Sequence, residues 1–111
     1  MARYSFGDII IVDFPFSNLS GSKRRPALVL THDLEDDVVL ARITSKPRES
    51  SSDSPILDWK ESKLLFPSTV CMAKLATLSI TLVEKKAGEF SRSDSESAVA
   101  ALRSFVDSLK K

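Results

Sequence analysis

The chain is poor in the residues that many catalytic chemistries require. It has one cysteine, Cys71, and one histidine, His32, in 111 residues. A lone cysteine cannot staple the fold, build a cysteine-rich zinc site or form a redox pair. A lone histidine excludes any mechanism that needs a histidine pair as acid and base. No H-E-x-x-H, G-x-S-x-G, Walker loop or dinucleotide fingerprint is present, so the usual metalloprotease, hydrolase and nucleotide-binding signatures are absent. Asp8 and Asp13 lie five positions apart on one apolar run and face opposite sides of a strand, so they form no two-metal carboxylate cluster. The apolar run between them, 9–12, is too short for a signal-peptide core or a membrane span, and the expected location is the cytoplasm, away from any membrane. Charge of one sign is not in excess either: 16 Lys+Arg against 15 Asp+Glu give a formal net charge of +1. Only local charge patterning can then point to a partner.

What remains is an ordinary soluble composition, 42% apolar and 28% charged, in a length that suits a single domain over 1–111. Residues 8–14 form a β-branched run that stops at Pro15 and predict a strand. A polar Ser/Gly loop follows. Pro26 opens a second strand over 27–31, and the acidic stretch 33–37 forms a hairpin tip before a third strand over 38–44. The Ser-rich, Pro-bounded segment 46–55 reads as a long surface loop. Two further β-like runs, 69–75 and 77–83, are separated by gaps too short for helical crossovers, which favours a mainly antiparallel sheet closed into a barrel. Ala98, Val99, Leu102, Phe105, Val106 and Leu109 then follow helical spacing, with Ser93 and Glu96 as a capping box and Lys110 and Lys111 at the dipole's negative end. Cys71 and Trp59 read as packing residues, with base stacking the alternative for Trp59.

Two basic patches are candidates for chemistry. Lys23, Arg24 and Arg25 stand together with no acidic neighbour, and guanidinium forks match phosphate oxygens. Arg42 and Thr44 share one face of the third strand, followed by Ser45, Lys46 and Arg48. Taken singly, each patch is also what a solvated loop end or a half-exposed strand looks like. Pairing of the second and third strands would bring Arg25 and Thr44 to one end of the sheet and put Asp33, Glu35, Asp36 and Asp37 at the other. That polarity leaves a positive face suited to nucleic acid.

The segments Gly7-Asp8-Ile9-Ile10-Ile11-Val12-Asp13-Phe14, Gly21-Ser22-Lys23-Arg24-Arg25-Pro26-Ala27-Leu28-Val29-Leu30 and Ile43-Thr44-Ser45 resemble, in content, order and spacing, the MazF/PemK toxin family of toxin–antitoxin systems. Pro67-Ser68-Thr69-Val70, Lys74-Leu75-Ala76-Thr77-Leu78 and the helix behind Gly88 extend the similarity over nearly the whole chain. The resemblance implies a mainly β, SH3-like barrel with a C-terminal α-helix. It also implies a homodimer that cleaves single-stranded RNA at specific sequences, without a metal or other cofactor. The family's products, a 2′,3′-cyclic phosphate and a 5′-hydroxyl, make the substrate's own 2′-OH the attacking group. The arginine before the second strand's proline and the threonine ending the third strand are the family's catalytic pair, and they fall on Arg25 and Thr44. Lys23, Arg24, Arg42, Ser45, Lys46 and Arg48 would hold the RNA, with the long loops choosing bases. The implied protein partner is an antitoxin whose acidic tail occupies the RNA groove. Two alternatives share the fold: a barrel that binds nucleic acid without cutting it, and a gyrase-poisoning branch that depends on a C-terminal tryptophan. This chain has no tryptophan after Trp59.

Overall fold

The computed structural model describes residues 4–15, 21–34, 36–46 and 49–110. Six strands form one antiparallel sheet: β1 Asp8–Pro15, β2 Ser22–Leu34, β3 Asp37–Thr44, β4 Asp53–Ile56, β5 Ser68–Ser79 and β6 Val83–Glu89, followed by helix α1, Arg92–Ser108. Their order across the sheet is β4-β5-β3-β2-β1-β6. The mainly β architecture with a terminal helix is therefore as expected. The closed barrel is not, because β4 and β6 are the two edges and do not pair with each other among the described residues.

Runs such as 9–12 and 27–29 are apolar at every position because both faces of the sheet are buried. Ile9, Leu28, Ala41 and Ile43 point to one side, where Val70, Met72, Ala98 and Ala101 complete a core beneath α1. Ile10, Val12, Ala27, Val29 and Leu40, which alternate with that set along the strands, point to the other and pack with Phe14, Leu78, Leu82 and Val83. Each such fully buried aliphatic side chain contributes about 1.5–3 kcal/mol relative to exposure.

Several boundaries differ from expectation. β2 starts at Ser22, so the basic triplet lies within a strand: β1 continues as a template, with Val12 opposite Arg25, Asp13 opposite Arg24 and Phe14 opposite Lys23. Pro26 is consequently internal to β2. It is tolerated because the β2–β3 ladder begins only at Ala27, opposite Arg42. The hairpin is tighter than 33–37, with Leu34 opposite Asp37 and Asp36 in the left-handed region at φ 68°. The end of the expected loop 46–55 is strand β4. The runs 69–75 and 77–83 are largely one strand, β5, bulged where Ala41 faces Leu75 and the next residue, Arg42, faces Cys71. A short 3-10 helix, Ile80–Leu82, then leads into β6, whose sequence VEKKAGE carries no β-like apolar run.

The helix cap is also displaced. Ser91, not Ser93, is the N-cap, accepting from the Asp94 amide at 3.1 Å. Asp94 is buried, and its carboxylate accepts the Leu57 and Asp58 amides at 3.0 and 2.9 Å. That contact ties the first turn of α1 to the segment after β4. The same segment passes close over Gly88, where a Cβ would lie 2.0 Å from the Ser62 carbonyl oxygen, so only glycine leaves room for it. The Asp94 contact and this close approach place the loop 57–67, which rims the candidate site. The apolar stripe of α1 packs on the core through Leu102 and Phe105, and past that point Val106 and, at the C-cap, Leu109 are exposed.

Candidate functional site

The β2–β3 ladder ends at the Ala27–Arg42 pair. Two residues further along each strand stand Arg25 and Thr44, and a cavity of about 380 Å³ opens where the strands part. Ile11, Pro26 and Ile43 supply its apolar floor. Lys23, Arg24, Arg25, Lys46 and Lys63 line it, and among the described residues no carboxylate does. The structure thus gathers Arg25, Thr44, Lys23, Arg24, Ser45 and Lys46 of the sequence-predicted residues. Arg42 does not join them: its guanidinium sits 5.8 Å from the centroid of the Phe14 ring, outside the cavity lining. Arg48 lies outside the described residues.

Thr44 and Arg25 are prepared differently. The Thr44 hydroxyl oxygen accepts the Lys46 amide at 3.1 Å, which leaves its own O–H to donate. Arg25 is half-buried and has no ion-pair partner among the described residues. Arg24, next to it but on the opposite face of β2, forms a two-pronged ion pair with Glu84 of β6. Glu84 also meets Asp13. The hydrogen bond with Glu84 pushes the Asp13 carboxyl above its ordinary range, while the Arg24 fork holds Glu84 below its own. At the start of β1, Lys86 pairs with buried Asp8 at 3.2 Å, and neither residue lines the cavity.

The cavity continues on both sides. A cleft of about 310 Å³ shares Ser45, Lys46 and Ser68 with it and reaches Trp59, which also packs against the core beneath α1. A shallower depression shares Arg24 and Arg25 and ends at Lys85. Among the described residues, no three of His, Cys, Asp and Glu gather where they could hold a metal ion, and no helix is long and apolar enough to cross a membrane.

The lining residues that sequence reasoning missed include Lys63, Leu64, Leu65, Phe66, Ser68 and Lys85. Lys63 lies in the left-handed region at φ 72°, in a loop whose approach to β2 is a tertiary event with no local signal. In the sequence only the apolar run Leu64-Leu65-Phe66 before Pro67 stands out there, and that Leu65 and Phe66 are exposed is visible only in the fold.

An open, helix-backed antiparallel sheet with a cationic, hydroxyl-bearing cleft at one end defines the class: a small, mainly β protein with one C-terminal helix. A model of the PemK-like, MazF-like toxin of type II toxin–antitoxin systems matches residues 5–106, and the chain belongs to that family. No curated protein matches it in sequence. Among solved structures it is similar to an endoribonuclease from Mycobacterial species, at 17% identity and a TM-score of 0.77, covering 96% of this chain and 94% of the other. An endoribonuclease in complex with its cognate antitoxin, also from Mycobacterial species, superposes with a TM-score of 0.79 at 16% identity, over 95% and 96% of the two chains. The Mycobacterium tuberculosis toxin MazF-mt6 does so with a TM-score of 0.72 at 22% identity, over 88% and 96%. At these identities the likeness is one of fold.

Proposed function

We propose that the protein is the toxin of a type II toxin–antitoxin pair and a sequence-specific endoribonuclease that cuts single-stranded RNA at the Arg25–Thr44 cavity without a metal. The observation that carries this reading is the pairing, in one cavity whose described lining holds no carboxylate, of an arginine without an ion-pair partner among the described residues and a threonine whose hydroxyl oxygen accepts the Lys46 amide and leaves its O–H to donate.

In the proposed reaction the substrate's 2′-oxygen attacks the adjacent phosphorus and the bond to the 5′-oxygen breaks. The products are a 2′,3′-cyclic phosphate and a 5′-hydroxyl. The 2′-OH loses a proton and the departing 5′-oxygen gains one. The pentacoordinate intermediate concentrates negative charge on the phosphoryl oxygens. A fixed guanidinium fork and a hydroxyl donor stabilise that charge more than they stabilise the diester. Arg25 is assigned to the clamp and Thr44 to a phosphoryl oxygen. A guanidinium pKa above about 12 makes arginine a poor general base at neutral pH, so the proton carriers are left unassigned. Lys23, Ser45 and Lys46 hold the backbone on either side, and Arg24 reaches it on leaving Glu84.

Unstacked bases suit such a site because their edges are exposed. The cationic cleft also fits the acidic tail of an antitoxin, as an inhibitor competing with RNA, and a homodimer acting in the cytoplasm completes the reading. The test is incubation with a long single-stranded RNA in EDTA, followed by mapping of fragment ends, with Arg25→Ala and Thr44→Ala in parallel. Discrete cuts with 5′-hydroxyl ends, lost in both variants, are expected. Folded, antitoxin-free protein that leaves the RNA intact would turn the reading toward a binding module or a gyrase inhibitor, and a supercoiling assay would separate those two.

A further inference from the structure

We infer that Phe66 is a stacking platform for one unpaired nucleobase beside the scissile phosphate, and so a specificity-determining residue; this rests on the endoribonuclease reading above. Loop 57–67 splits its apolar residues. Leu64 packs against the core beneath α1, whereas Leu65 and Phe66 are turned outward, 83% and 62% exposed, while lining the same cavity as Arg25 and Thr44. Side-by-side exposed apolar residues at a charged cleft mark a contact surface rather than a packing accident.

The platform is built to be held in place. Pro67 restricts the preceding residue to extended backbone, and the Ser68 hydroxyl donates to the Phe66 carbonyl at 2.8 Å. The loop behind it is closed by Lys63 amide to Lys60 carbonyl and Leu64 amide to Trp59 carbonyl bonds, both 3.0 Å. Little ordering entropy is then left to lose on binding. An aromatic face among cations and hydroxyls is what a single-stranded nucleic acid uses: phosphates take the charges and a base takes the ring. A peptide partner with acidic and apolar side chains is the competing occupant, and the base contact separates the two.

The experiment uses a short RNA carrying a mapped cut site, with a 2′-O-methyl group on the attacking ribose so that it binds without being cut. Binding by the whole protein is measured for wild type, Phe66→Ala and Phe66→Tyr. The RNA is used intact and with a single abasic position placed in turn on each side of the scissile phosphate. Phe66→Ala is expected to weaken binding by about ten- to a hundredfold, and Phe66→Tyr by less than about threefold. One abasic position should cost the wild type a similar factor and cost Phe66→Ala almost nothing further. Wild-type affinity in Phe66→Ala, losses that multiply at every abasic position, or conversion of a dimer to monomers by Phe66→Ala would each overturn the stacking role. Unchanged thermal unfolding of the variant excludes a folding artefact. Wild type that cuts RNA while Phe66→Ala binds normally defeats stacking alone, whereas wild type that neither cuts nor binds RNA defeats the endoribonuclease reading and the platform with it.

Discussion

Arg24 and Arg25 are consecutive in the chain, yet the fold gives them opposite tasks. Residue alternation along β2 sends Arg24 toward Glu84 and Asp13, where its fork is filled by a carboxylate, and leaves Arg25 at the parting of β2 and β3 with its fork open. A run of like charges is therefore not one feature: strand geometry divides it into a cation paired with a carboxylate and one that, in the proposed reaction, is left for a phosphate.

That division can be broken by mutation, and the largest effect should be on Arg25. Arg25→Ala is expected to lower single-turnover RNA cleavage by about 10²–10³, the usual cost of losing one preorganised charge donor, whereas Arg24→Ala should cost less than about tenfold. Next comes the scaffold beneath the rim. Asp94→Ala leaves the Leu57 and Asp58 amides without their acceptor and should lower unfolding stability by about 2–3 kcal/mol in a denaturant titration. Smaller again is Glu84→Gln, which releases Arg24. RNA binding at low salt should tighten by about two- to fivefold, with a steeper salt dependence.

The finest prediction concerns pH. In a carboxyl NMR titration Asp13 should protonate at higher pH than an ordinary aspartate, because of its hydrogen bond with Glu84, and Glu84 at lower pH than an ordinary glutamate, because of the Arg24 fork. Glu84, held low by Arg24, contributes stability that is present above its unfolded value and is lost as the pH falls through its folded value. Asp13, held high by Glu84, costs stability near neutrality, a cost that disappears as it protonates.

The legible parts of this chain were those whose chemistry is local. The β-branched run of β1, the apolar stretches of β2 and β3, and the helical spacing of 98–105 announced their elements. The proline in β2 and the threonine ending β3 placed Arg25 and Thr44 at one end of a hairpin. β4 escaped because its sequence, DSPI, reads as part of a Ser/Pro loop, and β6 because an edge strand tolerates the charges of VEKKAGE. The cap moved from Ser93 to Ser91 because the tertiary use of Asp94, which grips the chain after β4, has no sequence signature. Lys63 and Phe66 reach the site for the same kind of reason: Asp94, remote in sequence, ties the start of their loop to α1, and Gly88 leaves room for the loop to lie against β6.

The central claim is that Arg25 acts as a two-pronged clamp and Arg24 does not, and cleavage of one mapped RNA by Arg25→Lys and Arg24→Lys, side by side, tests it most directly. Lysine keeps the charge and loses the fork. Arg25→Lys should fall at least about tenfold while Arg24→Lys stays within about threefold of wild type; full activity in Arg25→Lys would contradict the account.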